Sequence, residues 1–344
     1  MTPMSIMIIL PTIIMGTIMT MSSSNWLLAW IGLELNMLAL LPIISKPKTT
    51  RSSEATIKYF ITQTIASMMM LLSSTTNAWQ TGNWDIPELK NKFSSTIMSL
   101  SLMMKMGAAP MHFWLPEVLQ GATLQTALLI TTWQKLAPIT LMYLISNNIQ
   151  PSILMMTGLL SMTVGGLGGI NQTQLRKMMA YSSINNLGWT ITIMAFSPNM
   201  AIMNIFIYIT MTTPTFLMMA KMSTKTLQSL TTTWTTSPTT TISIALLMLS
   251  TSGLPPFTGF MPKLLILNEL ITQKLLALAT FTIMTSLISL LFYLRITYLT
   301  MMLTPPLSAS SSTKWRLQNQ KSQLMTMMTP TALLITPLIP ALPF

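Results

Sequence analysis

The chain has 344 residues, 51% of them hydrophobic and only 7% charged, with a mean hydropathy of +0.59. A soluble domain carries about 25% charged residues, so there is too little charge here to cover a water-facing surface. The net charge of +12 falls in short segments between apolar runs, which points to the topogenic bias of membrane proteins rather than to a nucleic-acid partner.

There is no Cys, one His and only six acidic residues. That composition rules out disulfides and thiolate metal sites, and it leaves no cluster for a metal, haem or iron–sulfur centre. It also leaves little room for a hydrolytic triad. Met is abundant at 36 residues, and no physical argument accounts for so many.

Apolar runs near the length of a bilayer core recur from end to end. The reading is an all-α polytopic membrane protein with about 11 spans, at 3–21, 25–44, 57–77, 95–119, 123–146, 150–170, 174–196, 199–221, 240–268, 275–303 and 323–343. The first, MTPMSIMIILPTIIMGTIM, lacks a basic leader and a small-residue cleavage site, so it reads as a spanning helix. Pro11, Pro42 and Pro138 fall inside spans, where neighbours can re-satisfy the backbone. Asn77–Ser94, Ser223–Pro238 and Pro305–Lys321 read as loops.

The fourth span contains KMGAAPMHFWLPE, where Pro110 is expected to break the helix next to Lys105. The ninth contains GLPPFTGFMPK, a second break next to Lys263. Interrupted spans at matching places in two halves point to inverted repeats, here about 1–146 and 150–303, followed by a C-terminal helix about 323–343, all within one membrane domain. With alternating loops, Lys46, Lys48, Arg51, Lys58, Arg176, Lys177, Lys221, Lys225, Lys314, Arg316 and Lys321 fall on one side. Lys90, Lys92 and Lys274 fall on the other, with Asp85, Glu88 and Glu269. This bias places the N-terminus inside and the C-terminus outside.

Four ionisable groups remain deep in spans: Glu34, Lys105, Lys135 and Lys263. Each lysine costs roughly 2.5–3.5 kcal/mol at a helix centre, so three cost on the order of 8–10 kcal/mol. Three lysines cannot all pair with one glutamate, which favours a proton or ion path over purely structural pairing. A lysine whose carboxylate partner approaches or retreats can take up and release a proton. His112 is either a relay or a hydrogen-bonded structural residue. Glu117 is either an access-path carboxylate or, the preferred reading, a solvated loop charge. The run Gly165, Gly166, Gly168 and Gly169 reads as close helix packing.

KMGAAPMHFWLPE, TTWQKLAP, GGINQTQLRKMMAYSS and GLPPFTGFMPK, with WIGLELNMLALLP and KYFITQ, make the chain similar to the chain 2 family of mitochondrial NADH–ubiquinone oxidoreductase, respiratory complex I. The resemblance runs from the first span to the tenth. It implies an antiporter-like, proton-translocating subunit of the membrane arm in the mitochondrial inner membrane, in a shortened form of eleven helices with two inverted five-helix repeats. It implies a modulatory Glu34–Lys105 pair, a central axis through Lys135 and a terminal relay at Lys263, with the basic side facing the matrix and the C-terminus the intermembrane space. No cofactor is expected in this chain; FMN, iron–sulfur clusters and ubiquinone belong to partner subunits. The partners implied are neighbouring antiporter-like chains and inner-membrane lipids. One departure stands out, because Asn186 occupies the place where the family usually has a histidine, and Asn carries no proton at physiological pH. A structural spacer without its own proton path and a stand-alone cation/proton antiporter are the alternatives.

Overall fold

The computed structural model describes residues 3–231, 233, 238–301 and 323–334. Among these the architecture is all-helical, with only isolated bridges at Asn25–Asp85 and Gln174–Thr226. The helices are α1 Pro3–Ser22, α2 Trp26–Ile44, α3 Thr50–Thr81, α4 Lys92–Met106, α5 Trp114–Gly121, α6 Leu124–Thr131, α7 Trp133–Ile145 and α8 Pro151–Ile170. They continue with α9 Leu175–Met194, α10 Pro198–Lys221, α11 Leu227–Thr231, α12 Pro238–Ser252, α13 Phe260–Thr272, α14 Leu276–Met301 and α15 Gln323–Leu334.

Six of the described helical stretches are long and apolar enough to cross a membrane: Trp26–Ile44, Thr50–Thr81, Leu124–Asn148, Pro151–Ile170, Pro198–Lys221 and Leu276–Met301. Their lateral chemistry is that of a lipid-facing protein. On α14, Met284, Leu287 and Leu291 point outward while Thr282, Thr285, Ser289 and Tyr293 are buried. In a soluble helix the two faces would be exchanged. The chain is therefore a multi-pass membrane protein, all-helical among the described residues.

Two compact units are present, residues 1–161 with 194–198, and residues 162–193 with 199–344. In the first, α1 packs along α2, and α3 packs against α2, α4 and α5. In the second, α12 packs along α14. The glycine run of α8 does the work predicted for it. A Cβ on Gly165 would lie 2.6 Å from the Asn185 backbone N, and one on Gly169 would lie 2.8 Å from the Phe292 ring.

The breaks at 107–113 and 253–259 fall where proline and glycine placed them. Several boundaries differ from the sequence reading. A Thr49–Ser52 capping box starts α3 at Thr50, and Gly82 ends it after Thr81, so part of the predicted 77–94 loop is helix. The 223–238 loop contains α11. Span 123–146, expected to be one helix, is interrupted at Thr132 (φ −113°, ψ −72°), whereas Pro138 lies inside α7. Just before this interruption the Thr131 and Thr132 hydroxyls donate to the Ala127 and Leu128 carbonyls, a local competition with the backbone ladder that bends helices. The predicted loop at 305–321, with Lys314, Arg316 and Lys321, lies outside the described residues, as does 335–343 of the C-terminal span.

Candidate functional site

In the first unit α4 closes on Gly107 at φ +77°, a conformation glycine adopts without a Cβ clash. The Ala108 N–H donates to Met103 O at 3.0 Å and the Gly107 N–H to Met104 O at 3.2 Å, which is a Schellman closure. Side chains add donors to the same carbonyl end. Trp114 Nε1 donates to Met104 O at 3.1 Å, and Gln63 Nε2 lies 3.4 Å from Lys105 O. The sequence-level requirement that a break inside a membrane be satisfied by its surroundings is thus met by α3 and α5. Lys105 sits in the last turn of α4, where the negative end of the helix dipole favours a cation.

Lys105 and Lys135 come together. Both line one small cavity with Tyr59, Gln63, Trp114 and Gln134. They are 7% and 3% exposed, and each stands at a helix interruption. The cavity offers about 20 Å³ to the centre of a water-sized sphere, enough for a single water. Gln134 Nε2 is buried with no hydrogen-bond partner. Glu34 belongs to the same unit and interacts coulombically with Lys105 and Tyr59. It makes no direct ion pair with Lys105 within 4.0 Å, and its Oε2 is buried without a hydrogen-bond partner. The Glu34–Lys105 pair that the resemblance implies is therefore open in this conformation.

Two other residues singled out in the sequence lie elsewhere. His112 is buried in the break, with Nδ1 positioned to donate to Pro110 O at 3.2 Å and its ring against Phe113. Those contacts suit a structural residue. Glu117 is not a loop charge: it lies in the first turn of α5 and pairs with Lys58 Nζ at 2.6 Å. Lys58 also pairs with Glu54 at 2.5 Å, so one cation pins α5 to the start of α3.

The second unit builds its site differently. Gly253, at φ +84°, closes α12, and Lys263 follows the break in the first turn of α13. Its ammonium nevertheless reaches back to the C-terminal end of α12, donating to Ser252 O at 2.7 Å, with the Trp189 ring 6.0 Å away. In both units the lysine thus meets the carbonyl end of the first half-helix. Lys263 lines a cavity of about 10 Å³ with Asn186, Asn204, Tyr208, Thr251 and Pro262. Asn186 does share the lysine's cavity, and its Nδ2 donates to Ser182 O at 3.0 Å.

Sequence reasoning missed Tyr59, Gln63, Gln134, Asn204 and Tyr208 as lining residues. Tyr59 and Gln63, four apart inside KYFITQ, could have been found as polar groups on one face of an apolar helix.

The comparisons with known proteins complete this geometry. Residues 23–289 match the family model described as NADH:quinone oxidoreductase/Mrp antiporter, TM. The chain belongs to this family. Among its relatives, the NADH-ubiquinone oxidoreductase chain 2 of Salmo salar is 47% identical over 99% of this chain and 98% of its own length. That of Varanus timorensis is 48% identical, covering 99% of each. These place the chain in the chain 2 branch of the family, the antiporter-like membrane subunits. Among solved structures, a chain of respiratory complex I from Thermus thermophilus has a TM-score of 0.80 at 22% identity, covering 94% of this chain and 77% of the other. A chain of the archaeal membrane-bound sulfane sulfur reductase has a TM-score of 0.84 at 15% identity, covering 95% and 71%. At such identities these two neighbours report the antiporter-family fold alone.

Proposed function

We propose that this chain moves protons across the mitochondrial inner membrane as a membrane-arm subunit of NADH–ubiquinone oxidoreductase, through Glu34, Lys105, Lys135 and Lys263. Electron transfer from NADH to ubiquinone takes place in partner subunits, which hold FMN, iron–sulfur clusters and the quinone. Neighbouring antiporter-like chains and inner-membrane lipids are its contacts. The fold is read as eleven spans, two inverted five-helix repeats at about 1–146 and 150–303 and a C-terminal helix, with the N-terminus in the matrix and the C-terminus in the intermembrane space. The matching interruptions at 107–113 and 253–259 support the repeats.

The observation that carries the proposal is the shared cavity of Lys105 and Lys135. Two buried cations facing one water-sized space are costly as structure, by roughly 2.5–3.5 kcal/mol each. A water between them links them as donor and acceptor of one proton. Closing the open Glu34–Lys105 pair would hold a proton on Lys105, and reopening it would release that proton toward Lys135. His112 and Glu117 take no part.

The test is the number of protons moved per NADH oxidised in sealed inner-membrane vesicles carrying Lys105→Ala or Lys135→Ala. A lower ratio with an intact complex is expected. An unchanged ratio would leave the chain as a structural spacer.

A further inference from the structure

The cavity shared by Lys105 and Lys135 holds more donors than one water can serve. Its polar lining is Tyr59, Gln63, Gln134 and the two lysines, with the Trp114 indole beside them. Two of the neutral N–H donors are committed to the carbonyl end of α4. Trp114 Nε1 donates to Met104 O at 3.1 Å and Gln63 Nε2 to Lys105 O at 3.4 Å. Gln134 Nε2 has no such acceptor: it is buried and without a hydrogen-bond partner. Gln134 is the second residue of α7, directly after the interruption at Thr132 and next to Lys135, while Trp133 before it is exposed. A buried donor left open beside a polar, water-sized cavity is a place for water, because leaving it unmet is costly.

A water has two lone pairs and two hydrogens. An ammonium only donates, and so does an amide N–H. If both lysines were charged, they and Gln134 would be three donors competing for two lone pairs. With Gln134 on one lone pair, the water accepts from one ammonium and donates to the neutral amine of the other lysine. Its second hydrogen goes to the Tyr59 oxygen. In that arrangement the water has four partners and the Gln134 amide is met.

We propose that Gln134 is a positioning residue of the first unit: its amide holds the cavity water by one lone pair, and so limits Lys105 and Lys135 to one shared proton. The inference rests on the proton-translocating reading above. The transfer is balanced. The Lys105 ammonium gives one proton to the water oxygen, and the water gives one of its own hydrogens to the Lys135 amine. One N–H bond breaks and one forms, the water is regenerated, and one positive charge has moved from Lys105 to Lys135. No electron moves, and Gln134 keeps its protons throughout.

The test uses the whole complex in sealed inner-membrane vesicles with Gln134→Met, Gln134→Asn and Lys135→Met. Readouts are protons per NADH and the amount of assembled complex. Methionine keeps the length of the glutamine stem and removes the amide, whereas asparagine keeps the amide on a shorter stem. Assembly is expected to be retained in Gln134→Met, because Nε2 gives up no bond to the protein. A positioning role and a packing role predict opposite orders. If the amide holds the water, the proton ratio of Gln134→Met falls toward that of Lys135→Met, and Gln134→Asn stays nearer the parent. If the side chain only fills space, Gln134→Met matches the parent and Gln134→Asn, which leaves a gap, does no better. That second order, with a reduced ratio in Lys135→Met, would overturn the inference and leave the lysine path standing. An unchanged ratio in all three variants would overturn the proton-translocating reading, and the inference with it. If Gln134→Met failed to assemble, Gln134→Leu would decide, with the same readings for and against.

Discussion

Replacing Lys263 by Met separates a lysine kept for proton transfer from one kept to hold the break together. The ammonium donates to Ser252 O at 2.7 Å, so its loss leaves the carbonyl end of α12 short of a donor. An unsatisfied buried acceptor costs about 1–3 kcal/mol. Against this stands relief from placing a lysine at membrane depth, about 2.5–3.5 kcal/mol. The net effect lies between about 2.5 kcal/mol of stabilisation and about 0.5 kcal/mol of destabilisation. Methionine fills the space of the lysine stem with a flexible apolar chain. The assay heats the mildly solubilised complex and follows this chain in the NADH-oxidising band on native gels, alongside protons per NADH in vesicles. The thermal midpoint should hold or rise while the proton ratio falls. Loss of the chain from the complex at ordinary temperature, restored by Lys263→Arg, would refute the reasoning and make the ammonium a structural clasp.

Three further variants probe the supports of the two sites. Gly253→Ala forces an L-residue into the left-handed region, costing about 1–2 kcal/mol, and sets a Cβ 2.9 Å from Lys263 Nζ. It should lower the proton ratio less than Lys263→Met does in the same vesicles. Trp114→Phe removes the donor to Met104 O. Because Met104 O keeps the Gly107 N–H as a donor, the thermal midpoint should drop only by the equivalent of one hydrogen bond, about 0.5–1.5 kcal/mol, measurable by the same native-gel melt. Gly165→Ala drives a methyl group into the Asn185 backbone of α9, a contact no side-chain rotation relieves. Overpacking costs about 1–3 kcal/mol, so less of this chain should be recovered with the complex by quantitative mass analysis.

The two main breaks were legible in the sequence because proline removes a donor and clashes at a fixed place, while a lysine in an apolar run stands out against its neighbours. The interruption at Thr132 was not. It has no proline or glycine beside it, and threonine hydroxyls competing for carbonyls look like any other threonine in so Thr-rich a chain. Glu117 was misplaced for a related reason. Its partner Lys58 is 59 residues earlier and only the fold brings α3 and α5 together. The hydroxyl lining of the Lys263 cavity was likewise unreadable, since it draws Tyr208 and Thr251 from separate helices. The four ionisable groups deep in the spans could be named from sequence. Which of them share a cavity could not, nor could the open state of Glu34 and Lys105.

The central claim, that protons pass through this chain's buried lysines, is tested most directly at the balance point of the whole reaction. In sealed vesicles, the proton-motive force that just halts and reverses electron flow is measured against a fixed NADH/ubiquinone redox span. Fewer protons per electron pair mean that a larger force is needed to balance the same span. Complexes carrying Lys105→Met, Lys135→Met or Lys263→Met should therefore reverse at a higher proton-motive force than the parent. Reversal at the same force in all three, with coupled turnover intact, would contradict the account.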